Sequence, residues 1–342
     1  MQKLKLAAYW ASSCGGCDIA IVELGEHLLE LAQVADIVFW PAATDFKYQD
    51  VEAMPDGAID ITLFNGSIRT SLDEEIAHLL RRKSKVLVAF GSCATEGCIP
   101  SLTNIKGPLY ALNRAWREVP STENPQGVLP CASFEMPEGT ITLPTMGERV
   151  RTLEQVVSIE YKIPGCPPNH AQVWKAMSAV IENKLPPVGS LLGVDPRTVC
   201  DQCPRVREGK IRVTRFYRLH EMIPDTKRCF LEQGLICAGP ATHAGCGALC
   251  IGANMPCRGC YGPPDGILDQ GAALLSAVVA GFAGQSDAEI RQILSTIVDP
   301  VGTFYCFGLA ASLLNHVNRG DGTSIQASTS WTGTPTGKES SR

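Results

Sequence analysis

The chain of 342 residues is long enough for two domains of ordinary size, each with its own core. Its 30 Lys and Arg against 35 Asp and Glu leave a net charge of −5, and nothing in that balance suggests a nucleic-acid-binding surface, which needs clustered basic charge. The opening MQKLKLAAYWASS is too short in its apolar part for a secretory signal, and the longest apolar run, AALLSAVVAGFAG, falls short of the roughly 18–20 residues that span a bilayer, so a soluble cytoplasmic protein with no transmembrane segment is expected.

In chain order, LKLAAYW reads as a buried strand, and IAIVELGEHLLELAQ carries apolar residues at helical spacing. DIVFWP and IDITLFNGS are short β-rich runs bounded by Pro or Gly. SLDEEIAHLLRRK follows as a helix, with Ser71 as candidate N-cap, acids in its first turn and bases in its last. KVLVAFGS is another buried strand, and VVSIEYKIPG leads into the amphipathic helix NHAQVWKAMSAVIENK, which His170 begins. Strands alternating with helices predict an α/β fold with a parallel sheet covered on both faces. Pro186, Pro187, Gly189 and Gly193 then mark a linker. Beyond it the chain has little regular periodicity through Cys260, and apolar helices return at 270–317, with Ser286 capping DAEIRQILSTIV. The Gly/Ser/Thr-rich end is expected to be disordered.

Fifteen cysteines are the anomaly. Without an export signal a disulfide framework is disfavoured, and metal or cluster binding becomes the leading explanation. Cys14 and Cys17 follow the first strand, Cys93 follows KVLVAFGS, and Cys166 follows VVSIEYKIPG. All four lie just past the carboxyl ends of strands, the edge where open α/β sheets bind ligands. Neighbouring Gly15, Gly16, Gly91 and Gly165 would let backbone approach an inorganic core and donate N–H groups to it. Eight more cysteines split into Cys200, Cys203, Cys229 and Cys237, and Cys246, Cys250, Cys257 and Cys260. Such an irregular segment needs support beyond a large apolar core, and bound metal supplies it.

Four-thiolate sites suit zinc and iron–sulfur alike, and Cys14-Gly-Gly-Cys17 alone also fits a redox dithiol. Three features favour clusters: prolines directly after Cys166 and Cys203, small residues around the thiols, and a set placed in the cleft of an α/β sheet. Zinc and dithiol chemistry stay open as alternatives.

The motifs CGGCDIAIVELGE, VLVAFGSCATEGCIPSLTN, IPGCPPN and CFLEQGLICAGPATHAGCGALCIGANMPCRGCYGP resemble the small, electron-transferring subunit of nickel–iron hydrogenases. The nearest likeness is to the cytoplasmic F420-non-reducing, methyl-viologen-reducing type that partners heterodisulfide reductase, and it covers roughly residues 4–270. The resemblance implies a flavodoxin-like domain over 1–188, an iron–sulfur domain over 189–318 and a tail from 319 to 342. It implies a proximal 4Fe–4S cluster on Cys14, Cys17, Cys93 and Cys166, beside a nickel–iron centre in a separate large subunit. Cys246, Cys250, Cys257 and Cys260 match the medial set, and Cys200, Cys203, Cys229 and Cys237 the distal set, nearest an iron–sulfur or flavoprotein acceptor of the heterodisulfide reductase kind. Cys200 stands where periplasmic relatives carry histidine, and Cys250 where they often carry proline. Three 4Fe–4S clusters of low potential are therefore expected, with no catalytic residue in this chain. A hydrogen-sensing regulatory subunit and the cluster subunit of complex I-type quinone reductases are the rivals, and the eight-cysteine extension argues against the second.

Some residues depart from the family pattern or lie beside it. Cys98 replaces a second glycine and could be an additional or alternative proximal ligand, although a small buried residue is the more common case. Cys131 and Cys306 have no motif partners. Glu96 could assist proton movement or hydrogen-bond near the proximal site, although a solvated loop acid is the more common case; Asp18 is expected as an acid favoured by the helix dipole, and His243, a ligand in principle, as structural. The basic stretch CPRVREGKIRVTRFYRLH reads by default as a solvated loop, and beside an exit cluster it could steer an acidic partner.

Overall fold

The computed structural model describes residues 3–209, 212–282 and 286–316. Five strands, β1 (Leu4–Trp10), β2 (Ala35–Phe39), β3 (Ile59–Asn65), β4 (Ser84–Phe90) and β5 (Tyr161–Ile163), form one sheet in the order β2-β1-β3-β4-β5. Every pairing in it is parallel, with Ala8 opposite Leu63, Leu63 opposite Val88 and Val88 opposite Tyr161. This 2-1-3-4-5 order is that of flavodoxin-like sheets, whose switch point lies between β1 and β3.

Alternation along the strands explains why both faces are covered. Leu6 and Ala8 pack with Leu63, Val88 and Ile163 on one face, beneath Ala20 and Ile21 of helix Gly16–Val22 and Val173, Ala176 and Met177 of helix His170–Ile181. Ala7 and Tyr9 pack with Phe64, Leu87 and Ala89 on the other, beneath Ile76, Leu79 and Leu80 of helix Ser71–Lys83. Each fully buried Leu or Val here stabilises by roughly 1.5–3 kcal/mol.

Four details differ from the expectations. The helical run after β1 is two helices, Gly16–Val22 and His27–Val34, because Gly25 takes φ +58 between them. Thr70, not Ser71, caps the next helix: its Oγ1 accepts from the Asp73 N–H at 3.2 Å, and the Asp73 carboxylate accepts from the Thr70 N–H at 2.7 Å. β5 is only three residues long, since the Val156 and Val157 N–H groups turn back to the Leu153 carbonyl, both at 3.0 Å, and take the start of the expected run out of the sheet. The proline-rich linker is not free: Gly189 and Leu192 donate to the Glu160 and Lys162 carbonyls, both at 2.8 Å, and Leu192 sits in the core.

From Val199 to Ile293 a third core forms around Phe216, Phe230, Leu235, Ile251 and Leu274, with few regular elements. Helix Gln270–Val279 is capped by Asp269, and helix Asp287–Leu294 by Ser286 with Glu289 in a capping box. Residues 108–142, unassigned by pattern, form helix Pro108–Asn113, a π turn and the exposed hairpin Ser133–Met136/Gly139–Thr142. No helix among the described residues is long and apolar enough to cross a membrane. The expected tail over 319–342 lies outside the described residues.

Candidate metal centres

The carboxyl edge of the sheet gathers the first thiol set. β1 delivers Cys14 and, at the start of its helix, Cys17; β4 delivers Cys93 in helix Ser92–Glu96; β5 delivers Cys166, whose bond to Pro167 is cis. Burial pushes the Cys17 thiol up, and the neighbouring Cys93, Cys166 and Cys14 push it further. Gly91, at φ +83, makes this convergence possible: a β-carbon there would stand 2.2 Å from Cys17 Sγ. Cys14 and Cys166 remain exposed while Cys17 and Cys93 are buried, so the set opens to one side. Exposed apolar Trp10 and Ile19 flank Cys14 and Cys17 in sequence.

Cys98 joins this set. It is buried, as expected for a small residue, but its Sγ lies 3.7 Å from Cys166 Sγ. The Cys98 hydrogen bond holds the Cys166 thiol down at about 7. Cys131 is an exposed loop thiol and Cys306 is half-buried; neither approaches the others in a recorded contact among the described residues.

Two further neighbourhoods follow. Cys246 and Cys250 lie beside Cys260, whose thiol is pushed up to about 12 by burial, against a hydrogen bond from the Cys166 backbone. Cys200, Cys203 and Cys229 surround Cys237, pushed up to about 11 by burial against hydrogen bonds from the Gly239 and Cys257 backbones. The neighbourhoods touch at two places. Ser92 bridges the Cys260 carbonyl to the Gly165 N–H beside Cys166 of the first set, and the Ala238 N–H beside Cys237 of the last donates to the Cys257 carbonyl at 2.9 Å. The set at 246–260 therefore stands between the other two.

The donor chemistry fits an iron–sulfur group. Thiols crowded in this way cannot all ionise against each other in a low-dielectric setting, and bound iron would supply the missing positive charge. Backbone N–H groups beside Cys237, Cys257 and Cys260 point at sulfur, the hydrogen bonds that stabilise cluster-bound thiolates. Among the described residues no three His, Cys, Asp or Glu side chains form a single-ion site.

Residues without an assigned role tie the sets together. Ser92, 1 % exposed, donates through Oγ to the Cys260 carbonyl and accepts from the Gly165 N–H at 3.2 Å, so it links three strand-end and C-terminal segments. Tyr261 Oη accepts from Asn169 Nδ2 at 3.1 Å across the same junction. Nothing local marks Ser92 beyond its place next to Cys93.

Asp18 does more than face a helix dipole. Its buried carboxylate accepts from Trp40 Nε1 at 2.6 Å and Asn65 Nδ2 at 2.9 Å, locking the Cys17 turn to the ends of β2 and β3. Asp18→Ala strands two buried donors and should cost about 2–4 kcal/mol, read as a melting temperature lowered by several degrees. His243 is structural, its Nδ1 3.1 Å from the Asp195 carbonyl and its Nε2 3.5 Å from Asp265.

Glu96 is not a freely solvated acid. It lines a cavity of about 440 Å³ with Glu154, Lys162 and Asp269, and burial pushes its carboxyl up to about 7, against the pull of Lys162. The folded protein then holds a proton that the unfolded chain has released, so this group's contribution falls as pH rises from about 4.5 to about 7 and is flat above. Glu96→Gln should remove that slope: melting curves at pH 5 and 8 should show the variant gaining on the wild type by about 1–3 kcal/mol at the higher pH.

In the basic stretch, Arg205 is a structural residue, its guanidinium 3.7 Å from the Phe230 ring centroid and bonded to the Arg228 carbonyl and Asn254. Arg207 is exposed and close enough to Cys200 to pull its thiol down against burial.

A family model described as NADH ubiquinone oxidoreductase, 20 Kd subunit, matches residues 14–180, the part that holds the first thiol set. Over most of its length the chain is similar to the F420-non-reducing hydrogenase iron–sulfur subunit of Archaeoglobus profundus, 38% identical over 91% of this chain and 98% of the relative. The corresponding F420-non-reducing hydrogenase subunit of Methanothermobacter marburgensis is 31% identical over 92% of this chain and 96% of its own. Sulfhydrogenase 2 subunit delta of Pyrococcus furiosus is 25% identical over 76% and 86%. With full-length relatives at this identity that include both cysteine-rich halves, the chain belongs to the family of iron–sulfur subunits of F420-non-reducing hydrogenases.

Proposed function

We propose that this chain is the electron relay of a cytoplasmic nickel–iron hydrogenase, carrying electrons from hydrogen oxidation in a large subunit through three 4Fe–4S clusters to an acceptor subunit. Cys14, Cys17, Cys93 and Cys166 hold the proximal cluster, Cys246, Cys250, Cys257 and Cys260 the medial one, and Cys200, Cys203, Cys229 and Cys237 the distal one. Residues 1–188 form the proximal domain and 189–318 the domain of the other two. When bound, these groups supply one-electron redox chemistry; the chain supplies thiolate ligands, N–H donors and a dry matrix, and no acid, base or nucleophile. The observation that carries the reading is the ordering of the thiol sets, with Cys260 against Cys166 at one end and Cys257 against Cys237 at the other. Exposed Arg207 near Cys200 puts a positive charge at the exit, which would help attract an acidic iron–sulfur or flavoprotein partner such as a heterodisulfide reductase-like subunit.

The test is a tagged complex purified without oxygen from its native host, with iron counted and absorbance and EPR recorded before and after hydrogen. About twelve irons per chain, reduction by hydrogen and a co-purifying nickel subunit are expected. Iron without a response to hydrogen would assign the chain to a different catalytic partner, and zinc in place of iron would overturn the reading.

A further inference from the structure

Cys98 is a buried nucleophilic group that the relay does not use. The four sulfurs of the proximal set already match the four irons of a 4Fe–4S cluster, so a fifth sulfur is not needed to hold it. Yet Cys98 is 1 % exposed, and its thiol donates to Cys166 Sγ at 3.7 Å. It therefore sits against one of the four ligands, Cys166.

Its backbone gives a second, independent observation. Cys98 adopts φ +50 and ψ −158, a conformation that residues with a β-carbon rarely take. Three hydrogen bonds hold it there: its N–H donates to the Phe307 carbonyl at 2.9 Å, and its carbonyl accepts from Ser101 N–H at 3.0 Å and Ser101 Oγ at 2.6 Å. Glycine would meet the same backbone demand without strain. The side chain is thus present despite the conformation, and what it adds at this place is a thiol aimed at a ligand sulfur.

We infer that Cys98 is a positioning residue of the proximal centre, a thiol that donates a hydrogen bond to the Cys166 sulfur and thereby raises the reduction potential of the cluster it helps to hold. A donor to ligand sulfur stabilises the more negative, reduced state, so its loss makes reduction harder. The inference rests on the proximal assignment of Cys14, Cys17, Cys93 and Cys166.

The test uses the whole hydrogenase complex, purified without oxygen, carrying wild-type Cys98, Cys98→Gly or Cys98→Ser. Glycine removes the thiol and relieves the backbone, so the variant is expected to fold and to keep the full iron count. Its proximal EPR signal should titrate with a reduction equilibrium about tenfold less favourable, about 59 mV for a one-electron couple. Cys98→Ser, which keeps a donor, should recover most of that shift. An exchangeable-proton coupling to the reduced cluster, removed by D2O, should be present in the wild type and serine variant and missing in the glycine variant. An unchanged potential and coupling in Cys98→Gly would overturn the inference. Loss of about four irons in both variants would overturn it too, by making Cys98 a ligand. A wild-type complex without a proximal cluster signal would instead overturn the proximal assignment, and this inference with it.

Discussion

Replacing Gly91 by alanine should destroy the first thiol set. The new methyl would be placed 2.2 Å from Cys17 Sγ, at a φ of +83 and ψ of 159 that favours glycine. Neither side has room to yield. Gly91 N–H is bonded to the Ile163 carbonyl at 2.7 Å, which pins it between β4 and β5, and Cys17 is buried in the turn that Asp18 anchors. The expected loss is more than about 3 kcal/mol of stability, with about four irons missing from whatever protein survives. Iron counting and thermal melting of the anaerobically purified complex check this. Gly91→Ala protein with its full iron and wild-type melting would mean that Cys17 does not stand where this site requires it.

Serine in place of single cysteines should separate the three sets by their consequences. Cys17→Ser, Cys257→Ser and Cys203→Ser should each cost up to about four irons per chain. Because the sets stand in series, each should also slow hydrogen-driven reduction of the physiological acceptor by more than about 100-fold. An artificial dye that accepts electrons at the start of the series would discriminate further: Cys203→Ser should keep most of its dye reduction, whereas Cys17→Ser should lose it. Equal loss of dye reduction in both variants would contradict the order in which Cys166 meets Cys260 and Cys257 meets Cys237.

The legible stretches share a physical property. β1, β3 and β4 are runs whose two faces are both apolar, and helix Ser71–Lys83 has apolar positions on one stripe with acids first and bases last. These patterns act over one or two turns of chain, so they survive without tertiary context. Pattern misleads where a single residue overrides it. Gly25 breaks a helix whose apolar periodicity continues across it, and Thr70 takes the cap one position early because its side chain and Asp73 satisfy each other. Asp18 and Glu96 escape a plain reading for a different reason. Their partners Trp40, Asn65, Lys162 and Glu154 are remote in sequence, and burial is a property of the assembled molecule.

From the amino-acid order alone come the alternating α/β half, the placing of Cys14, Cys17, Cys93 and Cys166 just past strand ends, and the change of grammar near Gly193. Each follows from short-range periodicity and from where strands must stop. Only the tertiary structure decides which set lies between the other two, since that depends on Cys260 meeting Cys166 and Cys257 meeting Cys237 across chain separations that spacing rules do not reach. It alone brings Ser92 to the Cys260 carbonyl and turns Cys98 from a small buried residue into a donor 3.7 Å from a neighbouring sulfur. Long-range contacts are chosen by the packing of the whole chain, in which the 2-1-3-4-5 sheet sets where its carboxyl edge lies and Ser92 and Asn169 bond the Cys260–Tyr261 segment to that edge.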